Sequence, residues 1–338
     1  MASRKVDEGI VDTFLTVVRA THFAAVMSLA GDFAFLVLVF RPAFRGVGAD
    51  SPLDADDYQR RLTQWAWISL GIGLISGMFW LVLVGVSMSD RPLAEVWSQG
   101  ILATVLTHTQ FGRDCELRLG CGILLALCLL GTETWWHSQV TATVNSILLF
   151  LSAVVLVALA WAGHAGIMGG WLGHVHLTAD SVHLLAAGTW LGGLMPLALL
   201  YHKARHTGSS GWVVAAQIAT RRFSLVGVIC VGALIVTGMT NAWFMVGSMA
   251  MLTESNYGRL LMIKLGLFAV LISIAATNRL RLMPRLCSLS PLDALISAKS
   301  AVWRLQRNTL IEVGLGVLIL IIIGVLGITP PALHVHAG

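Results

Sequence analysis

The eleven histidines of this 338-residue sequence are the residues best equipped to do chemistry. Eight of them (His22, His108, His164, His174, His176, His183, His334 and His336) fall on one side of the membrane plan derived below, or in the outer turns of helices starting there. Imidazole is the commonest side-chain ligand of transition metals, and neutral imidazoles on a face poor in Lys and Arg suit metal capture from an oxidising compartment. The competing explanation is that His is simply tolerated at membrane interfaces. The densest stretch is 163–176, where His164, Met168, His174 and His176 sit among five glycines with no charged residue. Glycines let such a segment close around an ion, and would equally suit a tight helix connection. The soft thioether of Met168 favours Cu(I), while imidazole accepts either copper state. Met245, Met249 and Met251 could add thioethers, with gap-filling as their alternative role. If a helix already includes His176, then His176, Asp180 and His183 at i, i+4 and i+7 share a face and form a stripe of ligands or of groups that orient ligands. Otherwise Thr178 or Asp180 caps that helix.

The elements that must position these residues follow from composition. With 57% hydrophobic and 12% charged residues and a mean hydropathy of +0.81, the chain has too little charge to cover a water-soluble surface. Apolar runs at 11–40, 65–88, 117–130, 144–162, 177–200, 223–246, 260–280 and 310–328 predict an all-α polytopic membrane protein of eight spans. Arg41-Pro42, Asp90-Arg91-Pro92 and Pro330-Pro331 are expected to end helices. No cleavable-leader pattern opens the chain, so the first run is expected to be retained. The connections 1–2, 3–4, 5–6 and 7–8 hold 14 of the 22 Lys and Arg, which makes their side cytoplasmic by the positive-inside rule. Both termini and the 4–5 connection then lie on the opposite side, which the family resemblance described below implies is the periplasmic side of a bacterial inner membrane. The five cysteines show no CxxC and read as packing residues. Nucleic acid is not implied, and no enzymatic activity is expected.

A shift of 161 residues superposes His22 on His183, Gly31 on Gly192, Arg60-Arg61 on Arg221-Arg222, and Gly77-Met78 on Gly238-Met239. A shift of 146 places Phe111-Gly112-Arg113 on Tyr257-Gly258-Arg259, and Arg118-Leu119-Gly120 on Lys264-Leu265-Gly266. Two four-helix repeats, 1–166 and 167–338, are the simplest account. An even number of spans per repeat gives both halves the same orientation, with sites expected between them. Arg19 stands where the second half has Asp180, so one half is expected to bind and the other to support. Ionisable groups within spans are costly and mark function, which singles out Asp32, Lys264 and Glu312. For Glu312 the simplest partner is Arg307, five residues earlier.

These residues resemble the bacterial CopD family of inner-membrane copper proteins. The resemblance rests on residues 183–193 (HLLAAGTWLGG), on 257–264 (YGRLLMIK), on Asn278-Arg279, on Arg307 followed by Glu312, and on Pro330-Pro331. It is strong over about 180–331 and weaker over the N-terminal half, where it rests on the eight-span plan and His22. It implies copper handling between periplasm and cytoplasm, commonly beside a periplasmic copper-binding partner. Without a GxxxxGK[ST] loop or an ATPase domain, movement must use a gradient or a handoff of bound metal. The expected function is movement of copper, as Cu(I) or Cu(II), with import favoured. The expected ligand set is His22, His164, Met168, His174, His176, Asp180, His183, His334 and His336. Two alternatives stay open: haem between paired intramembrane histidines, resembling the cytochrome b561 type, and a copper sensor or scaffold that moves nothing.

Overall fold

The computed structural model describes residues 2–47, 55–89, 91–135, 141–163, 169–207, 209–288 and 294–330, and the described residues form helices joined by short connections. In chain order these are α1 (Ala2–Phe35), a π-helical turn (Leu36–Phe40), α2 (Arg41–Arg45), α3 (Asp56–Ser89), α4 (Leu93–Ser98), α5 (Ile101–His108) and α6 (Gln110–Trp135). They continue as α7 (Thr141–Ala158), α8 (Gly170–His206), α9 (Ser210–Val246), α10 (Met249–Glu254), α11 (Asn256–Thr277), a second π-helical turn (Asn278–Leu282), α12 (Met283–Cys287) and α13 (Ala294–Leu326). The protein is an all-α polytopic membrane protein. Six helical stretches are long and apolar enough to cross a bilayer: Gly9–Arg45, Asp56–Ser89, Gly170–His206, Ser210–Val246, Asn256–Cys287 and Ser300–Leu326. α6 and α7, with 26 and 18 residues, stand where the eight-span plan has its other two helices, and neither is among these six.

Several helices overshoot the apolar runs that predict them. α3 begins at Asp56 rather than at 65, α6 at Gln110 rather than 117, α8 at Gly170 rather than 177, and α9 at Ser210 rather than 223. The backbone ladder, once forced by lipid, has no reason to stop at the hydrocarbon edge when the flanking residues are good helix formers. Arg60, Arg61, Arg221 and Arg222 therefore lie on helices and not in connections. Pro42 does not end the first helix either. The widened π turn at Leu36–Phe40 precedes it, and Pro42 then sits in the first turn of α2, where its missing N–H is not needed. Pro284 repeats the device after the second π turn.

α1 and α8 are the two most buried spans, and they cross at glycine. A Cβ on Gly31 would overlap the backbone of Gly192, and one on Gly192 would overlap the carbonyl of Met27. Around this crossing α3 packs on α1, α9 on α8, and α13 on both α8 and α1. Near the end of α8 that carries Lys203 and Arg205, Phe40, Tyr58 and Trp212 stack with ring centroids 4.7 and 5.8 Å apart. Lys203 lies over Trp212 at 5.6 Å and pairs with Asp57 at 2.6 Å, tying α3 to α8 and α9.

Candidate functional site

His22 and His183 each point from a central helix toward a hydroxyl on the next long helix. On α1, His22 is 4% exposed, and its Nδ1 lies 3.0 Å from both the carbonyl oxygen of Gly73 and the hydroxyl of Ser76 on α3. The Ser76 hydroxyl donates to Ile72 O at 2.6 Å, so Nδ1 carries the proton. His22 Nε2 is then an acceptor, and it receives a bond from the Arg118 guanidinium on α6 at 3.0 Å. Arg118 also pairs with Asp114 at 2.7 Å and lies 5.1 Å over the Trp80 ring, whose edge meets His22 at 5.4 Å. Both nitrogens of His22 are thus engaged.

On α8, His183 Nδ1 lies 3.0 Å from the Thr237 hydroxyl of α9. That hydroxyl donates to Ala233 O at 2.6 Å, so again the proton sits on Nδ1 and the Nε2 lone pair is left for another partner. Gly238 lies against the ring as Gly77 lies against His22. The stripe read from the sequence exists: α8 does include His176, and its members face α9 in antiparallel order. His176, 3% exposed, stacks on Phe244 at 4.8 Å, and Asp180 accepts from Asn241 Nδ2 at 3.1 Å. Lys264 of α11 acts electrostatically on both Asp180 and His183. Neither Thr178 nor Asp180 caps α8, because the helix begins at Gly170; the Thr178 hydroxyl instead donates to His174 O at 2.8 Å.

The segment 163–176 is not one loop. His174 and His176 belong to the first two turns of α8, His174 exposed and His176 buried. His164, Met168, His334 and His336 lie outside the described residues. Among the described residues no three His, Cys, Asp or Glu side chains are grouped as a metal cluster. Met245 packs with Val246, Tyr257, Leu261 and Leu326, the gap-filling role. His22 does not serve as the partner of His183, since its Nε2 meets Arg118 at 3.0 Å. Nor does Glu312 pair with Arg307: it accepts from Asn278 Nδ2 at 2.9 Å, while Arg307 lies over Trp303 at 5.1 Å. Asp32 is 1% exposed, and its Oδ1 has no hydrogen-bond partner.

The groups that hold the two histidines, Ser76, Thr237, Arg118 and Asp114, were not singled out from the sequence. A signal for three of them was present. Ser76 and Thr237 each precede a Gly-Met pair matched at the 161-residue shift, and Arg118 is matched with Lys264 at 146. A hydroxyl one residue before a matched glycine on an apolar helix is the type of group that fixes a neighbouring imidazole.

An N-terminal-domain model of copper resistance protein D-like proteins matches residues 10–174, and the copper resistance protein D model matches 217–326. The N-terminal half, where the motif resemblance was weaker, is therefore matched as well. "Copper resistance protein D" of Pseudomonas syringae pv. tomato is 28% identical over 279 residues, covering 81% of this chain and 83% of that protein. "Inner membrane protein YebZ" of Escherichia coli (strain K12) is 30% identical over 259 residues, covering 76% of this chain and 81% of that protein. "Copper transport protein CutJ" of Bacillus subtilis (strain 168) is 32% identical over 124 residues, 37% of this chain and 22% of that protein. No solved structure matches. With matches covering both halves of the chain and relatives of nearly equal length, this chain is a multi-pass inner-membrane protein that belongs to the copper resistance protein D family.

Proposed function

We propose that the protein moves copper from the periplasm toward the cytoplasm, taking it up at the side where α8 begins and passing it to His183. The observation that carries this reading is the fixed tautomer of His183: Thr237 holds Nδ1–H and so presents the Nε2 lone pair that a metal requires. His174 and His176 stand on the same helix, about two to two and a half turns nearer the end where capture would occur. His164, Met168, His334 and His336 are the proposed outer ligands, with Asp180 as the carboxylate that orients the site. His22, bonded to Arg118, is the supporting counterpart in the first half, and the two halves are read as repeats of one four-helix unit. A periplasmic copper-binding protein is the proposed donor. Copper is cargo here, so the site needs few strong ligands and an open coordination position rather than a closed cage.

The test is copper flux in sealed vesicles holding the full chain, with Cu(I) and Cu(II) supplied separately, for wild type, His183→Ala and His183→Gln. Loss of flux in both variants, with folded protein and unchanged expression, is expected. Restoration by His183→Gln, which keeps hydrogen bonding without a comparable metal bond, would assign the histidine a structural role.

A further inference from the structure

In the inner half of the second bundle, α8, α9, α11, the second π turn, α12 and α13 line a cavity of about 210 Å³, with α11 contributing only Ile272, Ala275 and Ala276. It reaches from Trp190 and Val231 in mid-bundle to Tyr201, Arg279 and Glu312 near the basic end. Glu312 is 3% exposed, and its one fixed bond comes from a neutral donor, Asn278 Nδ2 at 2.9 Å. The Asn278 Oδ1 accepts from Asn308 Nδ2 at 2.8 Å, which leaves Nδ2 toward the carboxyl. Among the described residues Glu312 is in no ion pair. Arg279 lines the same cavity and donates from NH1 to Ser224 O and Oγ at 3.1 and 2.6 Å.

A carboxyl group placed in a bilayer without a bonded cation must bind one or stay neutral. The surroundings decide which cation. α8 presents Tyr201, whose hydroxyl lies 2.8 Å from Thr220 Oγ1, while Thr220 in turn donates to Ala216 O at 2.6 Å. Of polar groups α9 presents only the hydroxyls of Thr220 and Ser224, and the π turn presents Asn278 and Arg279. Copper wants imidazole or several sulfurs, and the cavity offers one thioether, Met283. An alkali cation wants a shell of oxygens, but the amide beside Glu312 turns its N–H₂ inward. A proton needs a single oxygen.

We propose that Glu312 is a reversible proton-binding site served by this cavity, and that its loading and release couple the movement of copper to a proton gradient. The coupling rests on the transport reading above; the proton site does not. The carboxylate takes its proton from water entering the cavity and returns it there, with Asn278 holding the acceptor oxygen in place in both states.

The experiment uses the full chain in liposomes. Infrared difference spectra between acid and alkaline buffer are expected to show a titrating carboxylic C=O band that shifts in D₂O, is absent in Glu312→Gln, and moves in frequency in Glu312→Asp. Asn278→Ala, which removes the donor, should shift the band without abolishing it. A spectrum in which wild type and Glu312→Gln are the same overturns the proton site, and so does a midpoint that moves when choline is replaced by sodium. Copper flux under an imposed pH difference then tests coupling: Glu312→Gln is expected to lose its response by a factor on the order of tenfold, with copper binding unchanged. A full pH response in that variant overturns the coupling. A wild type with the band but no copper flux overturns the transport reading, and the coupling with it, while the proton site stands.

Discussion

Thr237 governs what His183 is able to do, because a hydroxyl whose own proton is committed to Ala233 O can only accept from the ring. Thr237→Val keeps the shape of the side chain and removes that acceptor. Copper affinity is expected to fall by about 10- to 100-fold, the usual loss when the group orienting a histidine ligand is removed. Thr237→Ser should restore it, and competition titration against a Cu(I) chelator measures both. In the first half the deciding residue is Arg118, which is bonded to Asp114 and to His22 Nε2 with both members of the ion pair buried. Arg118→Ala strands a buried carboxylate, and a loss of about 3–5 kcal/mol in unfolding free energy is expected from denaturant titration in detergent. The exposed pair Arg91–Glu95 offers the contrast, since removing either member should change stability by less than about 1 kcal/mol.

Helix contacts in a bilayer gain nothing from expelling water, so the closeness of backbones decides which helices associate. The α1–α8 crossing uses Gly31 and Gly192 at a place where neither helix has room for a methyl group. Gly31→Leu or Gly192→Leu is expected to abolish the folded protein, read as loss of a monodisperse species on size exclusion. Gly120 of α6 has no atom within 4 Å of an added Cβ, so Gly120→Ala should be neutral or stabilising by up to about 1 kcal/mol. The glycines were legible in the sequence as a small-residue series and as a matched pair, but nothing in the spacing says which helix they admit. The helix ends were misread for a related reason. Hydropathy marks where lipid begins, while a helix ends where its hydrogen-bond ladder ends, and the polar flanks of α3, α8 and α9 continue the ladder.

At the scale of the whole molecule, the expected orientation rests on the basic residues at one end of the bundle. Lys203, Arg205, Arg221, Arg222, Arg279 and Arg281 lie toward the same ends of α8, α9 and the second π turn. Reporter fusions after residue 208 and after residue 338 are expected to report cytoplasm and periplasm respectively, as eight spans with an inward basic face require. The same compartment for both would require an even number of spans between them in place of the three formed by α9, α11 and α13. The two families of contact, His22 with Ser76 and Arg118, His183 with Thr237 near Lys264, stay within separate halves. Each histidine is therefore served by its own helices, while the contact between the halves combines the Gly31–Gly192 crossing with the packing of Tyr58 on Trp212 and the Lys203–Asp57 pair.

The sequence by itself determined the class of the protein, the approximate positions of its spans, the matched histidines and the family, because all of these are written in composition, periodicity and local motifs. Tertiary structure alone decided which nitrogen of each histidine is free. His22 and His183 are the same residue type at matched positions, each facing a hydroxyl 54 residues further on. They differ because the guanidinium of Arg118, 96 residues away, reaches the second nitrogen of His22, whereas no such bond forms from Lys264 to His183 among the described residues. The long reach of Arg118 carries a donor fork to a ring that spacing along the chain does not identify. The same holds for Glu312, whose partner is Asn278 of another helix and not the arginine five residues before it. Local sequence sets what a side chain is capable of bonding; the crossing of α1, α3, α6, α8 and α9 sets what it meets.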